Sequence, residues 1–489
     1  MLTKVGECEK TKQAELPISE AAFPMPFYEG LEYSSPARGM WNIAHTGMLI
    51  PEAHEIFVCA KGCLRGVVLT AAEMNALDRY SAIEVREENV LQGGMEELMI
   101  EGVADIIDKL PYRPRAILLF ISCQHFFLAY EQKPVFAALR ERFPDIHFLD
   151  CYMIPTLRKS GMTPTIRMQI QMYRMWERAD TGKPAQEDTG GDTEAAGEEE
   201  EACATKKVNL IGSNLMTARS SELVRIVEEA GYEFWDLHRC ETFDDYLRMA
   251  DARLNLVYDP TGRKAAEDVK RRLGMDYLYL PFSYDADELE ETYGRLAEAL
   301  GIDPPDLTAD RERAERAIAH AADVIGETPS VLDYTFTFRI LSFARMLLEH
   351  GFHVTEIYAD AFVPEDEENF LWIREHFPDI RISATARPAM RFVHGAAGEG
   401  EASPASDGGA LAESFAGAID RRAGPVLAVG QKAAYFAGTD HFVNVAESGG
   451  YYGFDGIVQV MELMEDAFLH TKDRKTLIQQ KGYGCESCV

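Results

Sequence analysis

Short apolar runs recur along most of the chain, each followed by a stretch with helical spacing of its apolar residues. Glu55–Val58, Ala116–Ser122 and Ile146–Asp150 are the runs of the first third. Val208–Gly212, Tyr232–Leu237, Leu254–Tyr258 and Tyr277–Leu280 continue the series, and Val331–Tyr334, His353–Tyr358 and Pro425–Gly430 extend it. Runs of this length bounded by Gly or Pro turns predict strands. The clearest helices are predicted over 220–230, stopped by Gly231, and over 335–350, stopped by Gly351. One unit echoes another: Leu139–Ile146 (LRERFPDI) resembles Ile373–Ile380 (IREHFPDI), each reading as a helix end, a Pro turn and a strand start.

Strands alternating with helices imply parallel sheets covered on both faces. The expected fold is α/β, with three doubly wound parallel-sheet, Rossmann-like domains around a central cleft, over 36–180, 207–302 and 303–470. Residues 1–35, with Pro17, Pro24 and Pro26, read as an irregular N-terminal arm. Residues 181–206 are rich in Asp and Glu among Gly, Ala and Thr, and read as a disordered acidic linker. The Gly/Ala/Ser-rich stretch 394–410 reads as a disordered loop inside the last domain, and 471–489 as a C-terminal tail.

Charge narrows the partners. Lys and Arg total 49 against 81 Asp and Glu, a net charge of −32 over 489 residues. Such a chain repels nucleic acid and anionic lipid, so neither is expected as a partner. The start of the sequence has no apolar signal core, and no run approaches the roughly 18 apolar residues of a membrane span. A cytoplasmic protein is expected, in a compartment where clustered thiols lean towards metal or redox work rather than disulfides.

Four of the nine cysteines sit where that chemistry is expected. Cys59 and Cys63 follow the first run, Cys123 follows the second, and Cys151 ends the third. Strand ends in an open α/β sheet converge on one crevice, where ligands bind. The Cys59-x3-Cys63 spacing is not that of a zinc ribbon, and thiolates suit soft iron. Small buried hydrophobes are the alternative reading of the same thiols. Cys203 lies in the acidic linker and Cys240 after a later strand, and neither is assigned a role. Cys485 and Cys488 close the chain as C-x-x-C, a thiol relay, a metal pair or a ligand donor to a neighbouring chain. No P-loop, dinucleotide fingerprint, zinc-protease or serine-hydrolase motif occurs, so electrons for any redox role must come from a partner.

Three segments together carry a family resemblance. Phe57–Cys63 (FVCAKGC), Val90–Leu98 (VLQGGMEEL) and Ile121–Cys123 (ISC) follow in the order of the nitrogenase component 1 family. That family includes the nitrogenase catalytic subunits, dark-operative protochlorophyllide reductase and cluster-assembly scaffolds. Val208–Gly212, Leu254–Tyr258 and Ser448–Gly456 (SGGYYGFDG) resemble later segments of the same family, so the resemblance runs over about 36–470. It implies an iron–sulfur cluster, of the [4Fe–4S] type, held by Cys59, Cys63 and Cys123. Cys151, a carboxylate or a partner chain is implied as the fourth ligand, with Gln124 and His125 around them. It also implies an ATP-hydrolysing iron protein as electron donor, and a homodimer or a hetero-oligomer with a paralogous subunit.

The departures are as informative. Met40 stands where the family's first bridging Cys is expected, Asp259 where the catalytic cofactor's Cys is, and Val443 where its His is, with His441 two residues away. A molybdenum–iron cofactor, and nitrogen fixation with it, are therefore not expected. The remaining candidate is an oxidoreductase acting on a small-molecule or tetrapyrrole-like substrate, with Arg65, Asp259, His441, Tyr451 and Tyr452 as possible pocket residues. A metallocluster assembly scaffold and a ligand-binding protein that has lost its cluster are the alternatives.

Overall fold

The computed structural model describes residues 14–27, 35, 37, 43–157, 161–177, 206–387, 389–390 and 426–479. The acidic linker, the 394–410 loop, Met40, Cys203 and the C-x-x-C tail lie outside them. In chain order the strands are β1 (Glu15–Pro17), β2 (Ala53–Cys59), β3 (Tyr80–Glu84), β4 (Ala116–Ser122), β5 (His147–Met153), β6 (Lys207–Leu210) and β7 (Glu233–Trp235). They continue as β8 (Leu254–Val257), β9 (Asp276–Tyr279), β10 (Ser330–Asp333), β11 (Val354–Tyr358), β12 (Arg381–Ser383), β13 (Leu427–Val429) and β14 (Phe442–Val443).

These strands form three sheets, ordered β3-β2-β4-β5, β7-β6-β8-β9 and β1-β12-β11-β10-β13-β14. Every pairing is parallel except that of β1, which joins β12 antiparallel. The α/β class is as expected. In each sheet the chain winds outward from one strand, then crosses back to its other side. The order therefore reverses between β2 and β4, between β6 and β8, and between β10 and β13, which opens a crevice at the carboxyl ends of those pairs. The chain folds as two compact units. Asn42–Met216 with Ile226–Pro281 holds the first two sheets; Met1–Trp41, Thr217–Arg225 and Phe282–Val489 hold the third.

The first sheet shows why the sequence reads as it does. β2 and β4 are buried at every position, which requires apolar side chains on both faces rather than alternation. On one face Ile56, Val58, Ile117, Leu119 and Ile121 meet Met99 and Val103 of the helix Met95–Lys109 and Val135 and Leu139 of the helix Lys133–Arg142. On the other face Phe57 stacks on Phe120 at 4.3 Å between centroids, as the register pairing these two residues demands.

The second long helix differs from its predicted bounds. It runs Ile340–Glu349, five residues later than the 335–350 pattern suggests. The Asp333 carboxylate captures the Thr335 amide at 2.7 Å, so the chain turns before it coils. Asp366 then accepts the Leu341 amide at 2.9 Å and the Ser342 amide at 3.3 Å. A buried carboxylate on another segment thus sets the helix start.

Candidate metal centre

Cys59 is the last residue of β2 and is fully buried. Its carbonyl accepts from Val85 at 3.0 Å, and the Cys63 amide donates to Ala60 at 2.9 Å, closing a single 3-10 turn over Lys61–Cys63. Nothing approaches the Gly62 Cα on the side where a side chain would stand. Cys63 ends this turn exposed. Cys123 opens the helix Cys123–Phe127 directly after β4 and is half-buried. The three thiols therefore stand on the two turns that flank the β2–β4 crevice.

One side chain ties these turns together. The Gln124 Oε1 accepts the Ala60 amide at 3.1 Å and the Ser122 hydroxyl at 3.4 Å. It thereby links the residue after Cys59 to the residue before Cys123. His125 is fully buried behind it, its Nδ1 3.4 Å from the Ser122 hydroxyl and its ring edge-on to Tyr130. Burial drives its pKa down to about 4, so the imidazole is neutral. Its Nε2 has no hydrogen-bond partner among the described residues.

The thiols sense one another. Burial pushes the Cys59 pKa up to about 12, and the nearby Cys63 and Cys123 charges push the same way. Among the described residues no three His, Cys, Asp or Glu side chains converge closely enough to hold a single metal ion. A cluster with its own body of iron and sulfide accepts thiolates set further apart than one ion does.

Cys151 lies apart from these turns. It pairs in register with Phe120, and Phe120 with Phe57, two residues before Cys59. Two strand spacings and two residues put it about 12 Å from Cys59 between Cα atoms. Its thiol is fully buried, with its pKa raised by burial and then by the Asp150 and Glu55 charges. Glu55 is a residue that periodicity did not single out. It is buried on β2, and neither carboxylate oxygen has a hydrogen-bond partner among the described residues. Burial raises its pKa well above the ordinary carboxylate range, against the pull of Arg79. The only sequence signal was an acid inside an otherwise apolar run.

The remaining candidates have local roles. Asp259 is buried after β8, its Oδ1 accepting from the Thr261 amide and hydroxyl at 2.8 Å. The His441 Nδ1 lies 3.0 Å from the Ala467 carbonyl. Val443 is buried in β14. Tyr452 is buried, edge-on to Phe282 and Tyr293, while Tyr451 is partly exposed. The Arg65 side chain lies outside the described residues.

The fold agrees with what this chain is similar to. No curated protein sequence matches it. The solved structure described as "Nitrogenase Cp1 at pH 6.5" aligns with a TM-score of 0.63 at 12% identity, over 90% of this chain and 94% of that one. A second, "Nitrogenase Cp1 at pH 5", aligns with a TM-score of 0.52 at 13% identity, over 94% of each chain. At such identities the likeness is one of fold. The sequence model of nitrogenase component 1 type oxidoreductases matches residues 44–395, well over half of the chain and all of its thiol corner. The chain therefore belongs to the nitrogenase component 1 type oxidoreductase family.

Proposed function

We propose that the chain is the electron-accepting component of a nitrogenase-like reductase, with Cys59, Cys63 and Cys123 holding a [4Fe–4S] cluster. The observation that carries this reading is the placement of three thiols on the two Gln124-tied turns beside the β2–β4 crevice. Such a cluster, when bound, takes up and passes on single electrons. Cys59 would anchor it from the buried side, and Cys63 and Cys123 from the rim. Gln124 would hold the rim thiols at a fixed distance from Cys59, since a slack turn raises the entropy lost on binding. Cys151, fully buried two strands from Cys59, is assigned to the sheet's interior rather than to the ligand set.

A fourth ligand from a partner subunit completes this proposal. Phe126, Phe127 and Leu128, three to five residues after Cys123, are 52%, 73% and 48% exposed. Three consecutive large apolar side chains near a half-exposed thiol are what a buried subunit contact requires. We assign that contact to an identical or paralogous subunit, and electron delivery to an ATP-hydrolysing iron protein, in the cytoplasm. The substrate class is a small molecule, with a tetrapyrrole-like compound as the bulkier option. Asp259, bound into its own turn, and Val443, sealed in β14, are not replacements for cofactor ligands. Nitrogen fixation by a molybdenum–iron cofactor is therefore not part of the proposal.

Iron and sulfide quantification with EPR on anaerobically purified protein tests the reading. Cys63→Ala and Cys123→Ala are expected to lose most of the iron, while Cys203→Ala and Cys151→Ala keep it. Colourless, iron-free parent protein, or equal iron in all four variants, would sink the assignment. ATP-dependent turnover with an iron-protein partner distinguishes a reductase from a scaffold that hands its cluster to another protein.

A further inference from the structure

The first sheet has a second feature at its opposite end. Beside the start of β5 lies an open cavity of about 480 Å³. The ends of the helices Lys133–Arg142 and Pro164–Tyr173 bound it. Arg140, His147, Gln171 and Arg174 line its rim, and Ile146 and Phe148 its floor. The volume is that of an ordinary small-molecule site. The thiol corner is at the carboxyl end of the strands, so the two places are distinct.

Charge makes this cavity exceptional in a chain of net −32. The Arg174 Nε lies 3.5 Å from the Asp268 carboxylate, but the same carboxylate also receives Arg272 at 2.9 Å, and Arg271. Arg271 and Arg272 do not line the cavity, but by sharing the Asp268 carboxylate they leave Arg174, which does, only partly neutralised. Arg140 stacks over Phe136 and donates to the Phe148 carbonyl at 3.3 Å, and makes no ion pair among the described residues. Asp150 lies within its electrostatic reach, yet accepts from Tyr152 at 2.8 Å. The carboxyl ends of the two helices offset part of this positive charge. His147 adds an imidazole beside Phe243, with Arg115 and Glu177 acting on it in opposite senses.

We propose that this cavity binds a small organic anion with an apolar body. The acidic group is held by the Arg140 and Arg174 guanidiniums, and the body lies on Ile146 and Phe148. Guanidiniums recognise carboxylate, sulfonate and phosphate oxygens through paired N–H donors. The apolar floor selects a body rather than a free inorganic ion. The inference does not depend on the cluster reading.

The test uses the full chain and two fluorophores, the anionic 8-anilinonaphthalene-1-sulfonate and the neutral N-phenyl-1-naphthylamine. The anion is expected to saturate one site, and Arg140→Gln with Arg174→Gln to weaken it about a hundredfold or more, the scale of two lost charged contacts. Arg140→Gln alone, which leaves Asp268 untouched, is expected to weaken it about tenfold. Arg113→Gln, a surface arginine paired with Asp145 at 2.8 Å, serves as the control and leaves binding unchanged. Parent-like anion binding in the double variant, equal losses in the control, or equal affinity for the neutral fluorophore overturns the proposal. Thermal melts of all variants verify that each is folded.

Discussion

Two buried residues on β2, His54 and Glu55, give the first sheet opposite responses to pH. His54 bridges two hydroxyls, with its Nδ1 2.7 Å from Tyr112 and its Nε2 2.8 Å from Ser81. A neutral imidazole, one nitrogen donating and one accepting, satisfies both. Burial and then Arg79 lower its pKa to about 4, with Asp78 opposing. The unfolded chain binds a proton near pH 6.5 and the folded chain does not. This contribution is complete above pH 6.5 and is lost as the pH falls towards 4. It removes about 2 kcal/mol between pH 7 and pH 5. His54→Gln is expected to flatten that part of the urea-midpoint profile. Glu55 has the reverse sign: its raised pKa favours the folded state at low pH and disfavours it as the pH rises above the ordinary carboxylate range. Glu55→Gln should therefore gain stability relative to the parent between pH 5 and pH 7 in the same titration.

At the scale of elements, turns position the chemistry. The Gly212 Cα, after β6, lies so near Gly262, after β8, that an added Cβ would stand 2.6 Å from the Gly262 Cα, and Gly212 has a φ of +83°. Both the close approach and the left-handed backbone demand glycine. Gly212→Ala is expected to cost about 2 kcal/mol or more, read as a lowered melting temperature. The sequence echo is real in space. Phe143 and Phe377 donate to Leu139 and Ile373 at 2.9 and 2.8 Å, and Ile146 and Ile380 then donate to those phenylalanines at 3.1 and 3.2 Å. The helix-to-strand turn is the same twice because the same residues fall at the same steps. The late start of the helix Ile340–Glu349 had no such signature, because Asp366, 25 residues beyond Leu341, sets it.

At the scale of the molecule, the proposed subunit contact makes a mass prediction. The anaerobically purified protein, alone or with its paralogue, should sediment as a dimer or larger. Phe127→Asp should shift it towards monomer and lower its iron content together, since a contact and a ligand would be lost at once. Dissociation with full iron retention would separate the interface from the centre. Among the described residues no helix is long and apolar enough to cross a membrane.

Much of this protein was legible in one dimension. Parallel strands buried on both faces are mostly apolar, with His54 and Glu55 of β2 as interruptions, so their runs, their order and the α/β class could be read directly. The family's segments around Cys59, Cys63 and Cys123 were legible for the same reason, since each follows a strand end. What the sequence could not rank was depth. Cys151 and Cys59 both end or nearly end apolar runs, and only register shows that one lies beside the turns of Cys63 and Cys123 and the other two strands away. Nor could it show the Gln124 tie, the stranded carboxyl of Glu55, or the cavity where Arg140 meets Arg174. Each joins residues far apart in the chain, and only the packing of sheet and helix decides which of them meet.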